Sequence, residues 1–189
     1  MNSLPVLEFA SQRAWETWLD DNDGQIDGVW LKFAKKGSGE TTLTHPEALD
    51  VALRYGWIDG QGKAFDEKYW LVRFSPRRPR SLWSRRNRER AEQLITEGRM
   101  KPAGMAQVEA ARADGRWAAA YESQSKAEVP KDFLQALSKN RKAAAFYESL
   151  NRADRYTIFY RLHHSKREAT RAAHINRFVE QLANHEKPR

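Results

Sequence analysis

The chain is divided by its own glycines and aromatics. The first half carries the strand signals and six of the seven tryptophans, whereas no glycine occurs from Lys131 to the last residue. Strands and tight turns need glycine and aromatic or β-branched residues, while glycine-free stretches rich in Ala, Leu, Lys, Arg and Glu favour helix. The expected fold class is therefore α+β. An N-terminal small mixed or antiparallel sheet with packed helices spans 1–121, a linker spans 122–130, and an all-α helical module spans 131–189. No internal repeat is visible.

Local signals place the elements. Ser11 is positioned to cap a helix with Trp15, Trp18 and Leu19 on one face. Val29, Leu31 and Phe33 alternate with Trp30 and Lys32 as a half-buried strand, followed by a turn at Gly37 to Glu40. Thr44 and Glu47 form a capping box for a helix carrying Leu49, Ala52 and Leu53 and ending at Gly56. Two β-prone runs around a glycine-containing stretch, Trp57 to Arg77, predict a hairpin or two adjoining strands, closed by Pro76 and Pro79. Ser84 caps the next helix, which stops near Gly98 and Pro102, and Met105, Val108 and Ala111 mark another. Glu122 to Pro130 is polar and lacks a hydrophobic period. In the last helix the spacing predicts a Ser165 to Glu168 capping box and a stripe of Ala172, Ile175, Val179 and Leu182.

Composition removes several chemistries. Without cysteine there is no disulfide, no thiolate nucleophile and no cysteine metal site. His163 and His164 point about 100° apart on a helix, and His174 lies roughly 15 Å further along a continuous one. His45 and His185 are ungrouped, so neither a metal nor another cofactor is expected. The chain lacks a GxSxG elbow, a Walker A loop and a GxGxxG fingerprint. The first residues have neither the basic nor the apolar region of a signal peptide, and no apolar run spans a bilayer, so a cytoplasmic address is expected. A formal charge of +8 and a sequence pI of about 9.8 favour anionic partners over cationic ones.

Two stretches concentrate candidate binding residues. In "GWIDGQG", Asp59 sits between an aromatic and a glycine after a helix end, which suits a ligand contact; Asp59-Gly60 as a turn pair with Trp57 as a core anchor is the other reading. In "WLVRFSPRRPRSLWSRRNRER", Trp70 and Phe74 should pack inward and Arg73 away from them. Arg77, Arg78 and Arg80 follow on a proline-stiffened loop beside the N-terminus of the helix capped by Ser84. That arrangement reads either as a phosphate or carboxylate cradle, or as an arginine–tryptophan scaffold without a ligand.

The motifs "GWIDGQ", "YWLVRFSPRRPRSLWSRRNRERAEQLITEGRMKPAG" and "VEAARADGRWAAAY", with "LNRADRYTIFYRL" and "SKREATRAAHINRFVEQL", resemble the YdeI/OmpD-associated, or bacteriocin-protection, family from about Trp30 to Leu182. One departure stands in "YRLHHSKREATRAAHI", where a second histidine and a lysine replace a small or polar residue. The resemblance implies a bacterial stress-tolerance protein associated with bacteriocin or antimicrobial-peptide resistance, without a settled reaction. The family motifs suggest a pocket with Lys32, Trp57 and Asp59 on one side and Arg73, Arg77, Trp83 and Asn87 on the other, binding an anionic small molecule. No catalytic residue is assigned. The competing readings are a nucleic-acid binder using Arg73 to Lys101 and an enzyme acting on a phosphorylated or carboxylated metabolite. The sequence does not name a protein partner.

Overall fold

The computed structural model describes residues 4–22, 24, 27–122 and 127–188. The chain separates into two units, Met1–Ala120 and Tyr121–Arg189, each with its own hydrophobic core. Residues 123–126 of the expected linker lie outside the described residues.

The first unit contains β1 (Val6–Leu7), α1 (Gln12–Asn22), β2 (Val29–Ala34), α2 (His45–Arg54), β3 (Trp57–Ala64), β4 (Tyr69–Pro76), α3 (Arg85–Thr96) and α4 (Pro102–Ala113). Its sheet runs in the order β1-β2-β4-β3, with β1 parallel to β2 and the remaining pairs antiparallel. The fold is α+β with a mixed sheet, as the sequence predicts. β2 alternates strictly, burying Val29, Leu31 and Phe33. Register pairs Val29 with Phe74 and Leu31 with Val72, so β2 and β4 contribute to one continuous apolar face. Trp15 and Leu19 of α1 and the apolar face of α2 cover it. The Trp15 Nε1–H donates to the Ala48 carbonyl at 3.2 Å, joining α1 to α2.

The capping box of α2 forms as expected: Thr44 Oγ1 accepts from the Glu47 amide, and the Thr44 amide donates to Glu47 at 2.9 Å. The Thr44 hydroxyl, donating to the Glu47 carboxylate at 2.7 Å, and the Thr44 amide hold that carboxyl below its ordinary range. α4 crosses the end of α2 at Gly104, where a Cβ would collide with the carbonyl oxygens of Leu53 and Arg54. Met105 is only partly buried, and Gly104 with Val108 and Ala111 makes the contact face.

The hairpin differs in detail from the sequence reading. The glycines do not form its turn: Gly60 and Gly62 lie inside β3, where the register with β4 shifts between Asp59 and Gly62. A bulge tolerates residues without side chains, and the turn is made by Phe65 to Lys68 instead. The Asp66 carboxylate accepts from the Lys68 and Tyr69 amides at 2.8 Å, the local bonding that lets aspartate build a turn.

The second unit is helical: α5 (Lys131–Ser138), α6 (Arg141–Ser149), α7 (Arg152–His163) and α8 (Glu168–Ala183). Asn140 and Asn151 cap α6 and α7 through their side chains. The core gathers Phe133, Tyr147, Ile158, Leu162, Ile175, Phe178 and Leu182. Two expectations for α8 are corrected. Its N-cap is Arg167 and makes no side-chain cap, because the Ser165 hydroxyl is committed to the Arg161 carbonyl and to His174. Its buried stripe runs through Ile175, Phe178 and Leu182, leaving Ala172 exposed and Val179 partly covered. Among the described residues no helix is long and apolar enough to cross a membrane.

Candidate anion-binding site

The seven residues expected to line one pocket are distributed by the register of the sheet. Residues paired across strands project to the same side. Lys32 is opposite Leu71 and Arg73 opposite Trp30, on the face turned away from the core; Asp59 is opposite Phe74, on the core face. Lys32 pairs with Glu8 at 2.9 Å and stands over the Tyr69 ring at 3.8 Å. That hydrogen-bonded carboxylate raises the Lys32 pKa. Trp57 is fully buried and meets Trp15 edge-on at 6.0 Å, so its ring belongs to the core.

Asp59 accepts a hydrogen bond from His45 Nε2 at 3.1 Å. His45, ungrouped in the sequence reading, thus has a carboxylate partner, delivered by the return of β3 along α2. Its ring also meets Phe33, Trp70 and Phe74 at 5.8 to 5.9 Å.

Arg77 and Trp83 are the two predicted residues brought together. The Arg77 guanidinium lies 3.5 Å over the Trp83 ring and donates to the Leu82 carbonyl at 3.1 Å, with Arg77 only 5% exposed and Trp83 2%. Trp83 also meets Trp117 edge-to-face at 4.8 Å. In this arrangement the guanidinium stacks on the Trp83 ring, the contact that the scaffold reading describes. Asn87 donates its amide to the Ser84 cap at 3.2 Å and lines a separate cavity of about 360 Å³ with Arg86, Arg90 and Asp50.

Further arginines of the segment have structural partners. Arg90 forms a bidentate pair with Asp50, tying α3 to α2 and raising the Arg90 pKa. Arg88 donates to the Trp117 carbonyl at 3.3 Å. Arg78, Arg80, Arg85 and Arg86 remain on the surface.

A different cluster lies in the second unit. α7 ends with Arg161 and His163, basic residues that suit the negative end of a helix dipole. The chain then turns through His164, Ser165, Lys166 and Arg167 into α8. Tyr160 and Arg161 from α7, these four turn residues, and Thr170 and His174 from α8 line an open cleft of about 600 Å³. No carboxylate is among the lining residues.

Hydrogen bonds fix the imidazoles. His164 Nδ1 lies 2.6 Å from the Tyr160 carbonyl and donates to it; Nε2 is buried and has no protein partner. Burial lowers the His164 pKa, and His163 and Lys166 push it the same way. Ser165 gives its only proton to the Arg161 carbonyl at 2.8 Å, so it accepts from His174 Nδ1, also at 2.8 Å. With Nδ1 donating to the carbonyl, the neutral His164 ring leaves Nε2 as an acceptor, and protonation turns it into a charged donor. Sequence spacing hides this grouping because the α7–α8 turn, not a continuous helix, brings His164 near His174. Among the described residues no group of three or more His, Cys, Asp or Glu could hold a metal ion.

Family models divide the chain much as its cores do. Residues 7–107 match the model described as Domain of unknown function (DUF8412), and residues 126–185 match the model described as Bacteriocin-protection, YdeI or OmpD-Associated. No curated protein matches the chain, and no solved structure does. The resemblance drawn from Trp30 to Leu182 is thus carried by its C-terminal part, while the tryptophan- and arginine-rich motifs up to Gly104 fall within the other match. With more than half of its 189 residues inside the first model, the chain belongs to the DUF8412 family and bears at its C-terminal end a bacteriocin-protection, YdeI or OmpD-associated domain.

Proposed function

We propose that the protein binds a small anionic molecule, bearing a phosphate or a carboxylate, in the cleft between the end of α7 and the start of α8. The carrying observation is the lining: Arg161, Lys166 and Arg167 line the cleft together with His164 and His174, with no carboxylate among them. Concentrating like charge without an internal counter-charge creates a field that an anion relieves. The Thr170 side chain and the uncapped first turn of α8 add neutral hydrogen-bonding groups. The cleft has room for an organic group as well as the anion itself.

Bacteriocin protection, where this chain contributes to it, then works indirectly. A protein of formal charge +8 repels a cationic peptide at long range, so direct capture is disfavoured. A bound anionic metabolite that changes the protein's state is the simpler link to stress tolerance.

The test is a thermal-shift series with inorganic phosphate, nucleoside monophosphates, phosphosugars and small carboxylates. A ligand at about 100 times its dissociation constant stabilises the fold by roughly 2.7 kcal/mol. The expected result is a stabilising compound whose effect disappears in Arg161→Ala/Arg167→Ala but survives in Arg73→Ala. Stabilisation lost in Arg73→Ala alone would return the site to the first unit. A response confined to oligonucleotides and removed by salt would favour nucleic-acid binding, and turnover of any compound would favour the enzyme reading.

A further inference from the structure

The face of the sheet turned away from the core carries a second set of contacts. Trp30 pairs with Arg73, while Lys32 and Lys63 both pair with Leu71, so these residues project to one side. Tyr69, two residues before Leu71 on β4, projects there too. Lys63 Nζ stands 4.1 Å over the Trp30 ring and Lys32 Nζ 3.8 Å over the Tyr69 ring. A lysine reaches a ring in this way only when the π-face is presented to it.

Tyr69 pairs with Ala34, four positions along β2 from Trp30, which separates the two rings by about 14 Å along the strands. Two large apolar side chains are exposed at the margins: Val6 at 47%, paired with Trp30, and Phe65 at 50%, 5.5 Å from Lys32 Nζ. Within the first unit, the buried residues of α1 and α2 pack on the opposite face.

We propose that this face binds single-stranded nucleic acid, with bases stacked on Trp30 and Tyr69 and phosphates held by Lys32, Lys63 and Arg73. A stacked base replaces these lysine–ring contacts, the Lys63 one exposed and the Lys32 one part-buried, with the Lys32 side chain 22% exposed. The displaced ammonium is then left beside the backbone of the ligand that displaced it. Glu8, which pairs with Lys32, gives up that partner on binding. A duplex keeps its base faces inside the stack and cannot use the rings, so the surface selects single strands. The reading is independent of the anion cleft, which lies in the other unit.

Fluorescence anisotropy with a labelled oligothymidine of about a dozen nucleotides, at about 0.1 M salt, tests it. The wild-type protein should bind the single strand more tightly than a duplex of equal length. Trp30→Ala/Tyr69→Ala should weaken binding roughly tenfold or more. Arg85→Ala/Arg86→Ala, on α3, should change it less than about threefold. If the aromatic double variant fails to fold, Lys32→Gln/Lys63→Gln decides: the slope of log affinity against log salt should become shallower by about 1.4, two single-strand phosphate contacts. No binding, equal binding of duplex, an unaltered affinity in the aromatic variant or an unaltered slope in the lysine variant would each overturn the proposal.

Discussion

His164 joins the environment of the cleft to the stability of the unit that contains it. Burial lowers its pKa in the folded chain from an unfolded value near 6.5. As pH falls below about 6.5 the unfolded chain takes up the proton first, so stability is lost until the folded pKa is passed, and it is fully present above that window. His164→Gln should flatten the dependence of the unfolding midpoint on pH between about 7 and 5, read by urea denaturation at several pH values. Anion binding should pull in the opposite direction. Protonation adds positive charge to the wall of the cleft, so affinity for sulfate, an anion whose own charge is constant over this window, should rise calorimetrically as pH falls, and His164→Gln should weaken that rise. The Ser165–His174 contact illustrates why this site was not legible in sequence. The spacing of Ser165 and Glu168 fits a capping box, yet a tertiary partner captures the hydroxyl that the cap would need.

At the scale of the element, legibility follows the range of the interactions. The α2 capping box and the alternation of β2 depend on near neighbours, and both read directly from sequence. The bulge in β3 depends on its pairing with β4, so Gly60 and Gly62 read as a turn when they are strand. Pairing register likewise divides Lys32 and Arg73 from Asp59, which periodicity within a single strand does not reveal. The approach of α4 to α2 depends on a missing side chain. Gly104→Ala would force a methyl group against two backbone oxygens that cannot swing aside. A loss of about 2–3 kcal/mol is expected from overpacking, read as a lower denaturant midpoint with an unchanged m-value.

For the whole molecule, two separate cores imply separable stability. Phe133, Ile158, Phe178 and Leu182 are packed among residues of the second unit alone. A fragment comprising Tyr121–Arg189 should therefore retain a helical circular-dichroism spectrum and melt cooperatively; a non-cooperative melt would show that this core is insufficient by itself. The sheet adds a constraint on the order in which the chain can fold. β4 is the last strand in sequence but sits between β2 and β3, and Phe33 finds its partner Trp70 only after both intervening elements have been made. On a ribosome the growing chain must therefore carry β2 without its antiparallel neighbour until Pro76 has emerged. A nascent chain arrested before β4 exposes an unpaired apolar edge, and chaperone capture should fall sharply once that strand leaves the exit tunnel.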